Sequence, residues 1–379
     1  MKFTLRATVL SGVVALMLGV PAYSQTIETS AGRLSATVVA EGLEFPWGLA
    51  LLPDGRMLVT ERTGQLRLIA DGTVGEPIAG VPVVLDEGQA GLLDIAIARD
   101  FATSGMVYMT FVETAEQAGK PEGVGTAVVA ARLVLDGATG RLEDSKVILR
   151  MNNYTYTFVH YGSRVVVGLD GNLFVTLGDR ENGMRAQDGS DLAGAVARIA
   201  PDGSIPGDNP NVDGWAPELW SKGHRNPQGA TLREDGQLFL VDHGEWGGDE
   251  VNMPLAGRNY GWPLISYGKS YSGGSFPATA QDGLEQPLHY WDPSIAPSGL
   301  DFYEGDLIPE WQGDLLLGAL SGNKLVRLDM SGDTVVGEEA LFSGQFGRIR
   351  DVKVSPRGDI YLLTDEENGK LIRVAPEGR

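Results

Sequence analysis

The chain of 379 residues contains no cysteine. That single absence excludes disulfides, thiolate metal ligands and thiol nucleophiles, so stability must come from a large core or from bound metal ions. Long apolar runs are scarce as well. The one that stands out, Ala7 to Val20, is too short to span a bilayer, and no later segment approaches the roughly 20 residues a membrane helix needs. Amphipathic helical periodicity is missing. Positive charge is in short supply: 30 Lys and Arg face 50 Asp and Glu, a net charge of −20. Such a surface repels nucleic acid and anionic lipid, and no nucleic-acid partner is expected. The same excess of carboxylates makes hard-cation sites such as Ca²⁺ plausible chemistry.

At the N-terminus, Lys2 and Arg6 precede the apolar run, and Pro21 with Ala22-Tyr23-Ser24 follows it. This is the pattern of a secretory signal peptide cleaved near Ser24, and it predicts a periplasmic or secreted protein without stable membrane insertion. An uncleaved anchor is the alternative; a lipoprotein linkage is excluded by the lack of Cys. Residues 1–24 carry two cations and no acid, so their removal takes the net charge from −20 to −22.

Within residues 25–379 one short pattern recurs: Gly, one residue, then three or four apolar residues closing on Thr, Asp or Gly. Copies begin at Gly55, Gly105, Gly171, Gly236, Gly313 and Gly358, and several are followed by a second strand, as at Gln65–Ile69, Lys324–Asp329 and Lys370–Val374. Six copies at this spacing predict an all-β fold, a six-bladed β-propeller of four-stranded antiparallel blades, as one domain over residues 25–379. The 52 Gly and 20 Pro supply its turns. A two-domain β-sandwich would need a linker near the middle, and none is visible.

Loops at one end of a propeller channel carry ligands, and the longest non-repetitive segments are Asp179–Lys222 and Asp242–Pro297. Around Leu169-Asp170-Gly171-Asn172 the flanking apolar stretches read as a hairpin that brings Asp179 back beside His160. A carboxylate holding one imidazole nitrogen leaves the other free as a general base; a structural histidine is the alternative. Arg225, Asn226 and Gln228 crowd one Pro-punctuated turn, suited either to gripping a carboxylate or to locking a loop. Gly244, Gly247 and Gly248 beside Asp249 and Glu250 suit a Ca²⁺ site or a plain Gly-rich loop.

Taken in order, FPWG with PDGRMLVTER, GQAGLLDIAIARDF, HYGSRVV, TLGDR, GHRNPQG, HGEWGGDEVN, GRNYGWP, IAPSG and GRIRDV resemble the glucose/sorbosone dehydrogenase family over nearly the whole chain after the leader. These are soluble aldose sugar dehydrogenases that use pyrroloquinoline quinone (PQQ) and Ca²⁺. The resemblance implies a six-bladed propeller that oxidises an aldose at C1 to the lactone and passes electrons to a soluble or membrane-linked acceptor. It implies His160 as the base and Asp179 as its orienting partner. Gln89, Arg225, Asn226, Arg348 and Arg350 match positions that bind PQQ, and Trp291 matches an aromatic packed near the cofactor. The carbonyls of Gly244 and Glu245 match ligands of the PQQ-linked Ca²⁺, and Glu250 and Tyr260 match a second, structural Ca²⁺ site.

Four positions depart from the family pattern. Ser163 replaces a common Gly, Glu245 a usual Pro, Ser321 a Lys that contacts PQQ in some relatives, and Ala195 a frequent Lys. Lys324 is the cation nearest in sequence to Ser321. Two other functions remain open on these residues: a Ca²⁺-dependent propeller lactonase, or a non-catalytic exported binding protein.

Overall fold

The computed structural model describes residues 24–379; the expected leader lies outside them, apart from Ser24 at its edge. No helix among the described residues is long and apolar enough to cross a membrane. Among the described residues, six sheets of four or five strands form a ring of blades, antiparallel except where Leu219–Lys222 pairs in parallel with Arg258–Asn259 at the edge of one blade. Blade 1 begins with Pro46–Leu51, blade 2 with Leu92–Ile97, blade 3 with Gly162–Val167, blade 4 with Pro227–Leu232, blade 5 with Pro297–Phe302 and blade 6 with Ile349–Val354. These six strands lie innermost, each packed against the first strand of the next blade.

The six repeat copies are the second strands, Met57–Glu61, Met106–Thr114, Leu173–Leu177, Leu238–Asp242, Leu315–Ala319 and Ile360–Thr364. Those at Leu173, Leu238 and Leu315 are buried at every residue, because blades cover both faces. That double burial is why the repeat reads as a continuous apolar run rather than an alternation. Six apolar clusters fill the interfaces between neighbouring blades.

Ring closure was not visible in the sequence. Blade 6 takes its first three strands from the C-terminal end of the chain and its outer strands, Gly32–Leu43 and Ser24–Thr29, from the N-terminal end. Strand pairing therefore joins the two ends, which leaves no open interface between first and last blade. Where the innermost strand of each blade pairs with the second, one extra residue bulges at the same end in all six blades. A bulge turns the side chains around it, and here the bulged stretches carry Trp47, Leu93, Asp94, Arg164, Gln228 and Arg350.

Leu34 tests the closure. It is 1% exposed and packs with Trp311, Ile360 and Ile372. Leu34→Ala should cost about 2–4 kcal/mol in urea unfolding. A loss below about 0.5 kcal/mol would mean that the N-terminal strand is not integral to the ring.

Candidate active site

Second strands end, and first strands begin, at the bulged end of the channel. A cavity of about 490 Å³ opens there. Its lining includes Gln89, Asn226, Gln228, His243, Arg348, Arg350 and Asp365, with Trp47 and Tyr161 as aromatic wall.

The hairpin predicted between His160 and Asp179 is present, with Gly162–Val167 paired to Leu173–Leu177. His160 Nδ1 lies 2.8 Å from Asp179 Oδ1. Asp179 is nearly fully buried and receives two further donors, Glu181 N at 2.9 Å and Trp262 Nε1 at 2.8 Å. Its own N–H donates to the Arg225 carbonyl at 2.8 Å. A carboxylate oxygen that accepts from Nδ1 sets the tautomer with the proton on that nitrogen, so Nε2 is left with its lone pair. The His160 backbone N–H donates to Gln89 Oε1 at 2.9 Å, and His160 holds a left-handed φ of 55°. The approach is close enough that a Cβ on Gly178 would stand 2.0 Å from the His160 carbonyl oxygen, which explains the glycine between Leu177 and Asp179.

Arg225 and Asn226 sit in a turn fastened through its backbone: both N–H groups donate to Asp242, at 2.8 and 2.6 Å. Asp242 is the lock, so the Arg225 side chain is spared for other work. Its Nη1 reaches only the His243 carbonyl at 3.3 Å, and its buried Nε has no partner among the described residues. Arg350 Nε is likewise buried without a partner, while its Nη atoms reach Gln228 Oε1 and Asp365 Oδ2. Arg348 donates to the same Asp365 oxygen through Nε and Nη2. Burial alone would raise the Asp365 pKa, but Arg350 and Arg348 outweigh it and hold the carboxyl below its usual range. Guanidinium N–H groups left unpaired in a buried wall suit a polyanionic guest that completes their hydrogen bonds.

The glycine-rich turn is also built tightly. A Cβ on Gly244 would stand 2.0 Å from the Gly247 carbonyl oxygen, and the Gly244 N–H donates to Asp249 Oδ1. Asp249 is not free to hold a cation with both oxygens: Ser294, Ile295 and Ala296 all donate to Oδ2. Glu250 lines a small adjoining cavity with Asp242, Gly244 and Tyr260. Burial pushes the Glu250 carboxyl up to about 8 and the Asp242 carboxyl up to about 7, and the one hydrogen bond recorded for the Glu250 carboxylate comes from the Asn252 amide. A buried carboxylate with so little compensation fits a cation nearby. The Tyr260 hydroxyl is occupied, donating to the Met253 carbonyl and accepting from Leu255 N. Among the described residues no group of three or more His, Cys, Asp or Glu side chains forms a metal cluster, so any ion here leans on carbonyls.

Gln89, Asn226, Arg348 and Arg350 line the cavity; His160 adjoins it through its backbone bond to Gln89 and carries Asp179 behind it, and Arg225 lines the small cavity beside it. Trp291 stands apart. It ends the outer strand of blade 4, packs in the blade 4–5 core and donates to Glu338. Lys324 pairs with that same Glu338 at 3.6 Å and is not among the cavity residues, so it does not replace the cation missing at Ser321. Arg62 does line the cavity, its guanidinium bonded to the Gly88 carbonyl. The Glu245 carboxylate turns outward to accept the Tyr271 N–H at 2.8 Å. Ser163 takes φ 82°, which is why glycine is common at that position.

Sequence reasoning missed Asp365, Trp262, Arg62 and His243. His243 Nε2 lies 2.7 Å from the Pro297 carbonyl, and burial lowers its pKa to about 4, so it is a neutral donor there. Trp262 lies in the stretch GRNYGWP, and Asp365 follows the last repeat strand by one residue, as Asp179 follows the third by two.

A six-bladed propeller with an oriented imidazole at the edge of an arginine-walled cavity defines the class of protein. The sequence profile of the Glucose / Sorbosone dehydrogenase family matches residues 43–373, and the chain belongs to that family. It is 38% identical over 361 residues to the aldose sugar dehydrogenase YliI of Escherichia coli (strain K12), covering 93% of this chain and 96% of that protein. The crystal structure of the soluble aldose sugar dehydrogenase from Escherichia coli in its apo-form superposes with a TM-score of 0.85 at 39% identity, over 91% of this chain and all of that one. The PQQ-bound aldose sugar dehydrogenase of Streptomyces coelicolor superposes with a TM-score of 0.73 at 26% identity, over 93% and 99% of the two chains.

Asp365 generates a pH-dependent expectation. A folded pKa below the unfolded value of about 3.9 contributes stability above that pH and loses it as pH falls through the folded value. Asp365→Asn should therefore cost about 1–3 kcal/mol at neutral pH, with the gap from wild type closing as pH drops below about 4. Thermal unfolding of the two proteins from pH 7 to 3 measures it, and a constant gap would contradict the pairing.

Proposed function

We propose that this chain oxidises an aldose at its anomeric carbon, with PQQ as bound cofactor, Ca²⁺ beside it and an external electron acceptor. The observation that carries the reading is the 2.8 Å contact between His160 Nδ1 and Asp179 Oδ1 at the edge of a cavity walled by arginines. PQQ, an ortho-quinone bearing three carboxylates, would supply the electrophilic carbon that accepts hydride.

The protein's part is to hold, orient and move a proton. Arg225, Arg348 and Arg350 would take the anionic groups, and Gln89 and Asn226 would add hydrogen bonds. The carbonyls of Gly244 and Glu245 would hold Ca²⁺ against the cofactor. His160 Nε2 takes the proton from the C1 hydroxyl while the C1 hydrogen leaves as hydride, so the sugar loses two electrons and two hydrogens and becomes the lactone. Asp179 stabilises the resulting imidazolium, and Trp262 keeps that carboxylate from rotating away. A lactonase built on a carboxylate cage fits less well. Among the described residues the one carboxylate in the cavity wall, Asp365, is already held by two arginines. Residues 1–24 would direct export.

His160→Ala should leave PQQ and Ca²⁺ binding nearly intact and slow reduction of bound PQQ by sugar about 10²–10⁴-fold, the contribution of a positioned base. Asp179→Asn should lose less, because it misorients the ring without deleting it. Stopped-flow reduction normalised to cofactor content reads both. A His160→Ala rate within a few-fold of wild type would assign that histidine a structural role.

Ca²⁺ should raise the melting temperature even without PQQ, since a ligand bound only by the native state stabilises it. Glu250→Gln should blunt that rise. An undiminished calcium response in the variant would remove Glu250 from the site.

A further inference from the structure

Four aromatic side chains are strongly exposed among the described residues: Tyr156, Trp246, Tyr271 and Tyr290. Tyr156 and Trp246 lie in loops that open at the cavity end of the ring, Tyr271 lies in the long loop that folds back onto the Glu245 turn, and Tyr290 lies in the outer strand of blade 4. Single exposed apolar residues are ordinary on any surface, but two exposed rings on segments joined to each other beside the candidate site call for a reason. Both are also held in place. Trp246 N and O exchange hydrogen bonds with Lys269, at 3.1 and 2.9 Å, and Tyr271 N donates to Glu245. Trp246 is 63% exposed and Tyr271 65% exposed, on a flap whose backbone is fastened.

That flap adjoins the chemistry. The Arg225 guanidinium lies 5.8 Å from the centroid of the Tyr271 ring and 5.3 Å from that of Trp262. Trp262 in turn holds Asp179, which holds His160. A contiguous stack thus runs from an exposed tyrosine to the base.

We propose that Trp246 and Tyr271 form a shelf that stacks against the second sugar of a reducing oligosaccharide linked through C4 of its reducing unit. The inference rests on the reading of His160 as the base at C1. C1 and C4 stand at opposite poles of a pyranose ring, so a sugar presenting C1 to His160 points its C4 substituent out of the cavity, toward the mouth. The axial C–H face of a pyranose is apolar, and rigid aromatic rings are the surface that receives such a face at low entropic cost. The hydroxyls around the rim of that sugar stay in water.

Two measurements test the shelf. In PQQ-loaded protein, the kcat/KM ratio of maltose or cellobiose to glucose should fall about tenfold in Trp246→Ala and in Tyr271→Ala. Turnover of glucose per loaded molecule should hold within about threefold in Trp246→Ala, and Tyr271→Phe should retain the wild-type ratio. Separately, methyl maltoside, whose anomeric oxygen is blocked against oxidation, is titrated calorimetrically into the same proteins. Its affinity should weaken about tenfold in the alanine variants. Glucose oxidation with an unchanged ratio and unchanged methyl maltoside affinity would overturn the shelf and leave the dehydrogenase reading standing. Methyl maltoside binding that the alanine variants weaken, in a protein that oxidises no aldose, would support the shelf as a sugar site and overturn the reading of the reaction.

Discussion

At the middle of the ring lies a buried cation on which the site is built. Arg164, 1% exposed, donates to Asp94 Oδ1, to the Gln228 carbonyl and to the Arg350 carbonyl, and lies 3.0 Å from Asp351. Those partners come from the innermost strands of blades 2, 4 and 6, so one side chain from blade 3 ties four blades at the axis. Its guanidinium also lies 4.2 Å from the Trp47 ring of blade 1. Breaking such a group out of its pairs leaves uncompensated charge in the core, which costs far more than the pairs contribute over an apolar filling. The knot therefore acts mainly by fixing positions. Gln228 and Arg350, whose carbonyls it holds, are themselves cavity residues.

The bulges make this arrangement possible. An innermost strand in regular register would alternate its side chains between its two faces. One extra residue in each strand breaks the alternation at the cavity end, and polar side chains reach the axis there without disturbing the apolar clusters between blades. Glycine-lined turns then bring carbonyls and acids close to the same mouth. Charge is divided accordingly: the surface carries the acidic excess, whereas the cavity wall holds Arg62, Arg348 and Arg350 with one aspartate, which the last two share.

Much of the candidate site was legible because its residues fall where repeats end. His160 and Asp179 bracket a hairpin whose turn is explicit in Asp170-Gly171-Asn172, so their contact follows from local pairing alone. The arginines could be named from family resemblance, but their partners could not. Asp365 reads as a solvated acid, but the pairing of Ile349–Val354 with Ile360–Thr364 within blade 6 makes it the shared acceptor of Arg348 and Arg350, and blade 4 adds Gln228 as a further partner of Arg350. Trp291 shows the reverse. Family resemblance puts Trp291, two residues before Pro293, near the cofactor, but pairing of His289–Trp291 with Asp249–Val251 carries it into the blade core.

The sequence by itself determined the number of blades and the identity of their second strands, because burial on both faces writes a run of apolar residues that no exposed strand can carry. It also determined the hairpin pair, since a tight turn leaves one register. Tertiary structure decided the rest: which end of the chain closes the last blade, which arginines keep unpaired N–H groups, and which acids are spent on backbone donors. The central knot depends on neighbours as far apart as Arg164 and Arg350, 186 residues from each other, and no local pattern encodes a contact that exists only once the ring has closed.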